Sequence, residues 1–185
     1  MTIHFLRETA DVRRALTTAG HTEWKNLSDS AYQPRFVLFT SKNEILWQIF
    51  QRIYDTYYAG VSEIRARGLP PAEALALIIR KHALNVMEQR DWTAIYFREE
   101  SELTEQQRKE IAKKKRRYDS MIEEVYEAGM NAGVFRQMPV HIAVAGLLGM
   151  CNWLYIWYKE QGALPAEQIA GYCADLLANG YLGNA

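Results

Sequence analysis

Cysteine is scarce: Cys151 and Cys173 are the two in 185 residues, each inside an apolar, helix-spaced pattern. They are too few for a disulfide framework and have no histidine neighbours for a zinc site, so a reducing cytosol is the compartment that fits. Residues 1–20 carry Arg7, Glu8, Asp11, Arg13 and Arg14 and lack the apolar core of a secretory leader, so export is not expected. Alternating polar and apolar runs are almost absent, which speaks against half-buried strands. There is no GxSxG, CxxC or HExxH, no glycine-rich phosphate loop, and no glutamate three residues before a histidine as di-iron bundles require. His4, His21, His82 and His141 are scattered, and the last two are read as facing solvent or capping local structure. The expectation is a protein that is not an enzyme, with no cofactor and no metal.

An excess of charge of one sign is also missing, since 22 Lys and Arg balance 22 Asp and Glu. The distribution is uneven. Residues 1–40 hold five basic and four acidic side chains, residues 41–118 fifteen and eleven, and residues 119–185 two and seven. An acidic, aromatic C-terminal third is poorly suited to phosphates, so any contact with nucleic acid is to be sought nearer the N-terminus.

What is present is a helical protein the size of one domain, with 49% apolar residues, enough to fold around a substantial core. Ser41, with Glu44 three residues on, opens a helix whose stripe Ile45, Ile49, Ile53, Tyr57, Ile64 ends at Gly68. Pro70 and Pro71 open the next, which carries Leu75, Ile78, Ile79, Ala83, Val86 and Met87. A short segment, Trp92 to Glu100, follows. Thr104 with Gln107 reads as a capping box for a long helix running to Gly133. Further helices start at Pro139 and Pro165. Within the long helix, Lys113 to Arg117 are read as a solvated face, with Glu110 and Lys114 spaced as an i,i+4 ion pair.

Val140 to Tyr158 is apolar on its whole circumference apart from His141 and Asn152, and is near membrane-spanning length. Asn152, Gly146, Gly149 and amphipathic neighbours favour a water-soluble protein with no membrane contact. A chain this small cannot enclose such a helix on all sides, so one face is expected to meet a second copy, with Ala143, Ala145, Gly146 and Gly149 permitting close approach. The expectation is a homodimer through this helix and the next. The run Asn152 to Tyr158 packs large aromatics beside one polar amide, the composition of a cavity for a small apolar ligand, with Met87, Met121 and Met130 on helices facing it.

The segment Phe39-Thr40-Ser41-Lys42-Asn43-Glu44-Ile45-Leu46 resembles the junction F-x-S-K-x-E-L-L of the TetR/AcrR transcriptional regulators. Arg90-Asp91-Trp92, Phe97-Arg98-Glu99, Glu127-Ala128-Gly129, Ala132-Gly133-Val134-Phe135, Asn152-Trp153 and Trp157-Tyr158 extend the likeness to about residues 36–183. They are similar to the C-terminal domain of the subgroup of fatty-acid and steroid-catabolism repressors. The resemblance implies an all-α, TetR-like helical ligand-binding domain over residues 41–185, dimerising through its last two helices, with an acyl-CoA or similar hydrophobic effector. Residues 1–40 would be the DNA-binding head, yet Asn26 to Phe39 reads NLSDSAYQPRFVLF where the family has T-x-x-x-I-A-x-x-A-G-V-S-x-x-x-L-Y-x-H-F. Pro34 falls where a recognition helix runs, at a cost of roughly 3 kcal/mol in a helix interior. Either this head folds differently or it is not a working DNA reader, as a shifted reading frame would make it; no DNA-contacting residue is assigned.

The function implied is a ligand-responsive dimeric repressor binding double-stranded operator DNA in the cytoplasm. The alternative is an effector-binding, dimerising protein that has lost DNA recognition. The cavity residues expected are Trp153, Trp157, Tyr126, Tyr96 and Met121, packing an acyl or ring system, and Asn152, orienting a carbonyl.

Overall fold

A computed structural model describes residues 41–181, and the expectations for residues 1–40 lie outside it. Every regular element in that range is helical: α1 Lys42–Ala66, α2 Pro71–Glu88, α3 Arg90–Glu99, α4 Glu105–Asn131, α5 Val140–Asn152, α6 Leu154–Trp157 and α7 Ala166–Tyr181, with one 3₁₀ turn, Glu100–Glu102, before α4. The helix signals act locally as expected. Ser41 Oγ accepts from the Glu44 N–H at 3.2 Å, and Thr104 and Gln107 complete a reciprocal capping box on α4. Pro71 occupies the first turn of α2, and Gly68 and Gly133 take the positive φ values, 61° and 72°, that let the chain leave α1 and α4.

The central element is α2, which touches each of the other six helices, α7 most extensively. Its stripe Leu75, Ile78, Ile79, Ala83 and Val86 is buried accordingly. Around it runs the main core, joined by Ile49, Ile53 and Val61 of α1, Ile122 and Tyr126 of α4, Val144 and Leu147 of α5, and Ala170 of α7. A smaller cluster, Leu46, Phe50, Tyr54, Leu103 and Ile111, closes the end where the chain enters α1. That end is tied by hydrogen bonds as well. Asn43 Nδ2 donates to the Glu102 carbonyl at 3.0 Å, and Gln107 Nε2 donates to Asn43 Oδ1 at 2.9 Å, so the first turn of α1 is held to the start of α4.

Two readings of the sequence are corrected. The apolar stretch Val140 to Tyr158 is not one helix: α5 ends at Asn152, the Ile156 N–H bonds the Trp153 carbonyl three residues back, and Tyr158 is extended. Arg90 Nε takes the Tyr155 carbonyl at 3.0 Å, which a continuing helix would use, and the turn inserts Leu154 fully into the core. Lys114 does not reach for Glu110. It bonds Asp55 at 3.1 Å and Gln51, both on α1, because α1 lies along α4 and offers these partners across the helix interface. Arg117 likewise spans to α1, over the ring of Tyr58.

Candidate functional site

Between α1, α3, α4 and α5, with one residue of α2 at the back, lies a cavity of about 330 Å³, at the small end of ligand pockets in general. Ile53, Tyr54 and Tyr57 form the α1 wall and Thr93, Tyr96 and Phe97 that of α3; α2 contributes His82. From α4 come Lys115, Tyr118, Asp119 and Glu123, and from α5 come His141, Val144, Ala145, Leu148 and Asn152. The α5 contribution is one helical face, since these positions follow His141 by three, four, seven and eleven residues.

A hydrogen-bonded chain crosses the interior. Tyr118 Oη lies 2.8 Å from His82 Nδ1, and His82 Nε2 lies 2.9 Å from Asn152 Oδ1. An amide oxygen only accepts, so Nε2 carries the imidazole proton, Nδ1 accepts, and the Tyr118 hydroxyl donates to it. Burial holds His82 down to about 4, the bond to Asn152 working the other way, so the ring is neutral at physiological pH. Burial pushes the phenols of Tyr54, Tyr57, Tyr96 and Tyr118 up, so all stay protonated. A second bond, Tyr54 Oη to Tyr96 Oη at 2.7 Å, joins the α1 and α3 walls. The charged side chains of the lining are the more exposed ones, Lys115, Asp119 and Glu123. Among them Asp119 is raised by partial burial, which Lys115 opposes and Glu123 reinforces.

Of the residues expected at a cavity, Tyr96 and Asn152 line this one. Trp153 and Trp157 do not; they are 60% and 51% exposed. Trp153 sits one step round the helix from Asn152, on the outer line Ile142, Gly146, Gly149, Trp153, where a Cβ built on either glycine meets nothing within 4 Å, and Trp157 is the last residue of α6. Tyr126 is fully buried in α4, its ring 5.1 Å from Phe135 and its hydroxyl donating to the Arg136 carbonyl at 3.2 Å. Met121, like Met87, is buried in the main core, against which Met130 also packs. His82, read as facing solvent or capping, is instead buried at the cavity wall, because it continues the Leu75, Ile78, Ile79 stripe of the central helix. That stripe was the signal available for it, as was the placing of Tyr57 and Tyr118 on otherwise apolar stripes.

Residues 68–181 match the family model described as the tetracyclin repressor-like C-terminal domain. The chain belongs to this family. No curated relative matches the sequence. The TetR-like domain shares its architecture with a TetR/AcrR transcriptional regulator from Thermobifida fusca YX-ER1, at 26% identity and TM-score 0.70 over 77% of this chain and 76% of that one. It also resembles AibR, solved in complex with isovaleryl coenzyme A and operator DNA, at 26% identity and TM-score 0.66 over 74% of each chain. Its fold is shared with the ketosteroid transcriptional regulator KstR2 of Mycobacterium tuberculosis, at 20% identity and TM-score 0.74 over 79% of this chain and 76% of that one. The TetR-like domain is thus the all-α fold of a transcriptional regulator family rather than of an enzyme class.

Proposed function

We propose that this chain is a cytoplasmic, ligand-responsive transcriptional repressor that binds operator DNA as a homodimer and takes a small hydrophobic effector, of the acyl-CoA class, between α1, α3, α4 and α5. The observation that carries the reading is the cavity, walled by neutral phenols and aliphatic side chains and crossed by the Tyr118–His82–Asn152 chain. Aromatic and apolar walls take an acyl or ring system, and Asn152 and Tyr96 supply polar contacts. Lys115, exposed on the same wall, suits the phosphates of a coenzyme A moiety outside. The solved complex of AibR with isovaleryl coenzyme A and operator DNA supports both ligand classes by similarity.

In this reading residues 1–40 are the DNA-binding head and 41–185 the effector and dimerisation domain. The homodimer uses α5 to α7, where Ile142, Trp153, Trp157, Tyr172 and Leu176 expose large apolar surface beside two uncovered glycines. α1 follows directly on the head and supplies Ile53, Tyr54 and Tyr57 to the cavity. A ligand that binds one placement of α1 better than another therefore shifts the spacing of two heads that must meet successive major grooves.

A panel of acyl-CoAs titrated against intrinsic tryptophan fluorescence tests effector binding, with saturable quenching expected and a flat response across the panel counting against it. Retardation of DNA from the chain's own upstream region at low salt tests the repressor. Binding of effector without any retardation favours the second reading, a dimerising effector protein without DNA recognition, to which the sequence Asn26 to Phe39 also points.

A further inference from the structure

The Tyr118–His82–Asn152 chain has one direction. Tyr118 is buried, and among the described residues its hydroxyl hydrogen-bonds His82 Nδ1 alone. Turning the Asn152 amide over would bring Nδ2 to His82 Nε2, move the imidazole proton to Nδ1, and leave the buried Tyr118 O–H without an acceptor among those residues. The protons therefore run from Tyr118 through His82 to Oδ1 of Asn152. Burial that keeps the ring neutral preserves this order, since a doubly protonated imidazole accepts nothing from Tyr118.

What the chain presents to the cavity follows. Asn152 is half-buried and lines the cavity, with Oδ1 taken by His82. Its Nδ2 has no partner among the described residues and keeps accessible surface. The amide thus offers the cavity N–H donors, strengthened by the bond that Oδ1 accepts. In an acyl thioester the carbonyl is the group that accepts and cannot donate, so it complements a contact that donates and cannot accept.

We propose that Asn152 Nδ2 hydrogen-bonds the thioester carbonyl of the enclosed acyl group, and that His82 and Tyr118 are positioning residues that fix this donor by keeping the amide from turning over. The proposal rests on the reading of this cavity as the site of an acyl-CoA effector.

Isothermal titration calorimetry on the full chain compares butyryl-CoA and octanoyl-CoA with S-butyl-CoA and S-octyl-CoA, thioethers in which a methylene replaces the carbonyl. Wild type is expected to bind the tighter thioester about tenfold better than its thioether. Asn152→Leu, similar in shape but without a donor, brings the two to within about twofold of each other. Its affinity for the thioether stays at the wild-type value, which shows that the fold and the cavity persist. Tyr118→Phe leaves Asn152 in place and removes only the hydroxyl that enforces its orientation, so the preference falls to about threefold. Nitrogen NMR of the histidine rings, assigned with His82→Gln, is expected to place the His82 proton on Nε2. A preference that survives Asn152→Leu or Tyr118→Phe, no preference in wild type, or a proton on Nδ1 overturns the proposal. Ala145→Trp, which fills the cavity from α5, keeps the underlying reading separate. If it abolishes binding of all four compounds, the cavity is the site whatever its preference; if binding is undiminished, or wild type binds none of them, the effector-site reading falls and the proposal with it.

Discussion

His82 Nε2 on the central helix donates to Oδ1 of Asn152, the last residue of α5, across 2.9 Å and 70 positions of sequence. The bond sets the imidazole tautomer, and through Nδ1 it orients the Tyr118 hydroxyl 2.8 Å away. It also anchors the end of α5 at the point where the chain turns into α6. Asn152 faces the cavity and Trp153 the exterior, so one peptide unit separates a proposed effector contact from a proposed subunit contact.

The same ring makes stability depend on pH. Its usual value of 6.5 applies to the unfolded chain, while the folded value is about 4, so between these the unfolded state binds the extra proton. Stability from this group is complete above pH 6.5 and declines as the pH falls through the interval, by on the order of 3 kcal/mol in all. Urea unfolding at pH 7.5, 5 and 4 is expected to show the decline in wild type and a shallower one in His82→Gln. Equal slopes in the two proteins would remove His82 from the account.

Gly129 lies where α4 meets Phe135. A Cβ there stands 2.0 Å from Phe135 Cδ2, and that ring is itself buried against Tyr126. Gly129→Ala is expected to lower stability by about 1–3 kcal/mol, the usual range for overpacking, despite alanine's better helix propensity. A melting temperature equal to or above that of wild type would show that the Phe135 loop moves aside freely.

The capping box at Thr104 stands between α4 and the bonded pair Asn43 and Gln107. Thr104→Ala is expected to cost about 1 kcal/mol, and Gln107→Ala a comparable amount because it also loses the Asn43 contacts. In the double variant the losses are expected to be less than additive, since both act on one set of bonds. Strict additivity in chemical denaturation would contradict a reciprocal box.

The outer face of α5 to α7 gives a test of assembly. Trp157→Arg is expected to convert a sedimenting dimer into monomer at micromolar concentration with the helical circular dichroism unchanged, because the side chain is exposed within the subunit. Gly146→Ala is expected to stabilise the isolated subunit by roughly 0.5–1 kcal/mol, as alanine does in a helix interior, while weakening association. A dimer unaffected by either change places the interface elsewhere.

The helix ends were legible because capping acts within four residues: Ser41 with Glu44, Thr104 with Gln107, Pro71, Gly68 and Gly133 all act through their immediate neighbours. Tyr96 and Asn152 are legible as cavity residues from the sequence, while Thr93, Tyr57, Tyr118 and His82 are not. Their side chains are polar but their positions fall on apolar stripes, and a stripe says that a residue is covered without saying by what.

Trp153 and Trp157 show the limit most clearly. Hydropathy around α5 is high in every direction, so the amino-acid order carries no signal for which side turns inward. Among the described residues, local chemistry along the chain dictates which segments are helical and roughly where most begin and stop, but not the break between α5 and α6. Which faces of those helices meet is settled by packing between segments far apart in sequence, here the crossing of α2 by all its neighbours, and the cavity exists only as the space those contacts leave.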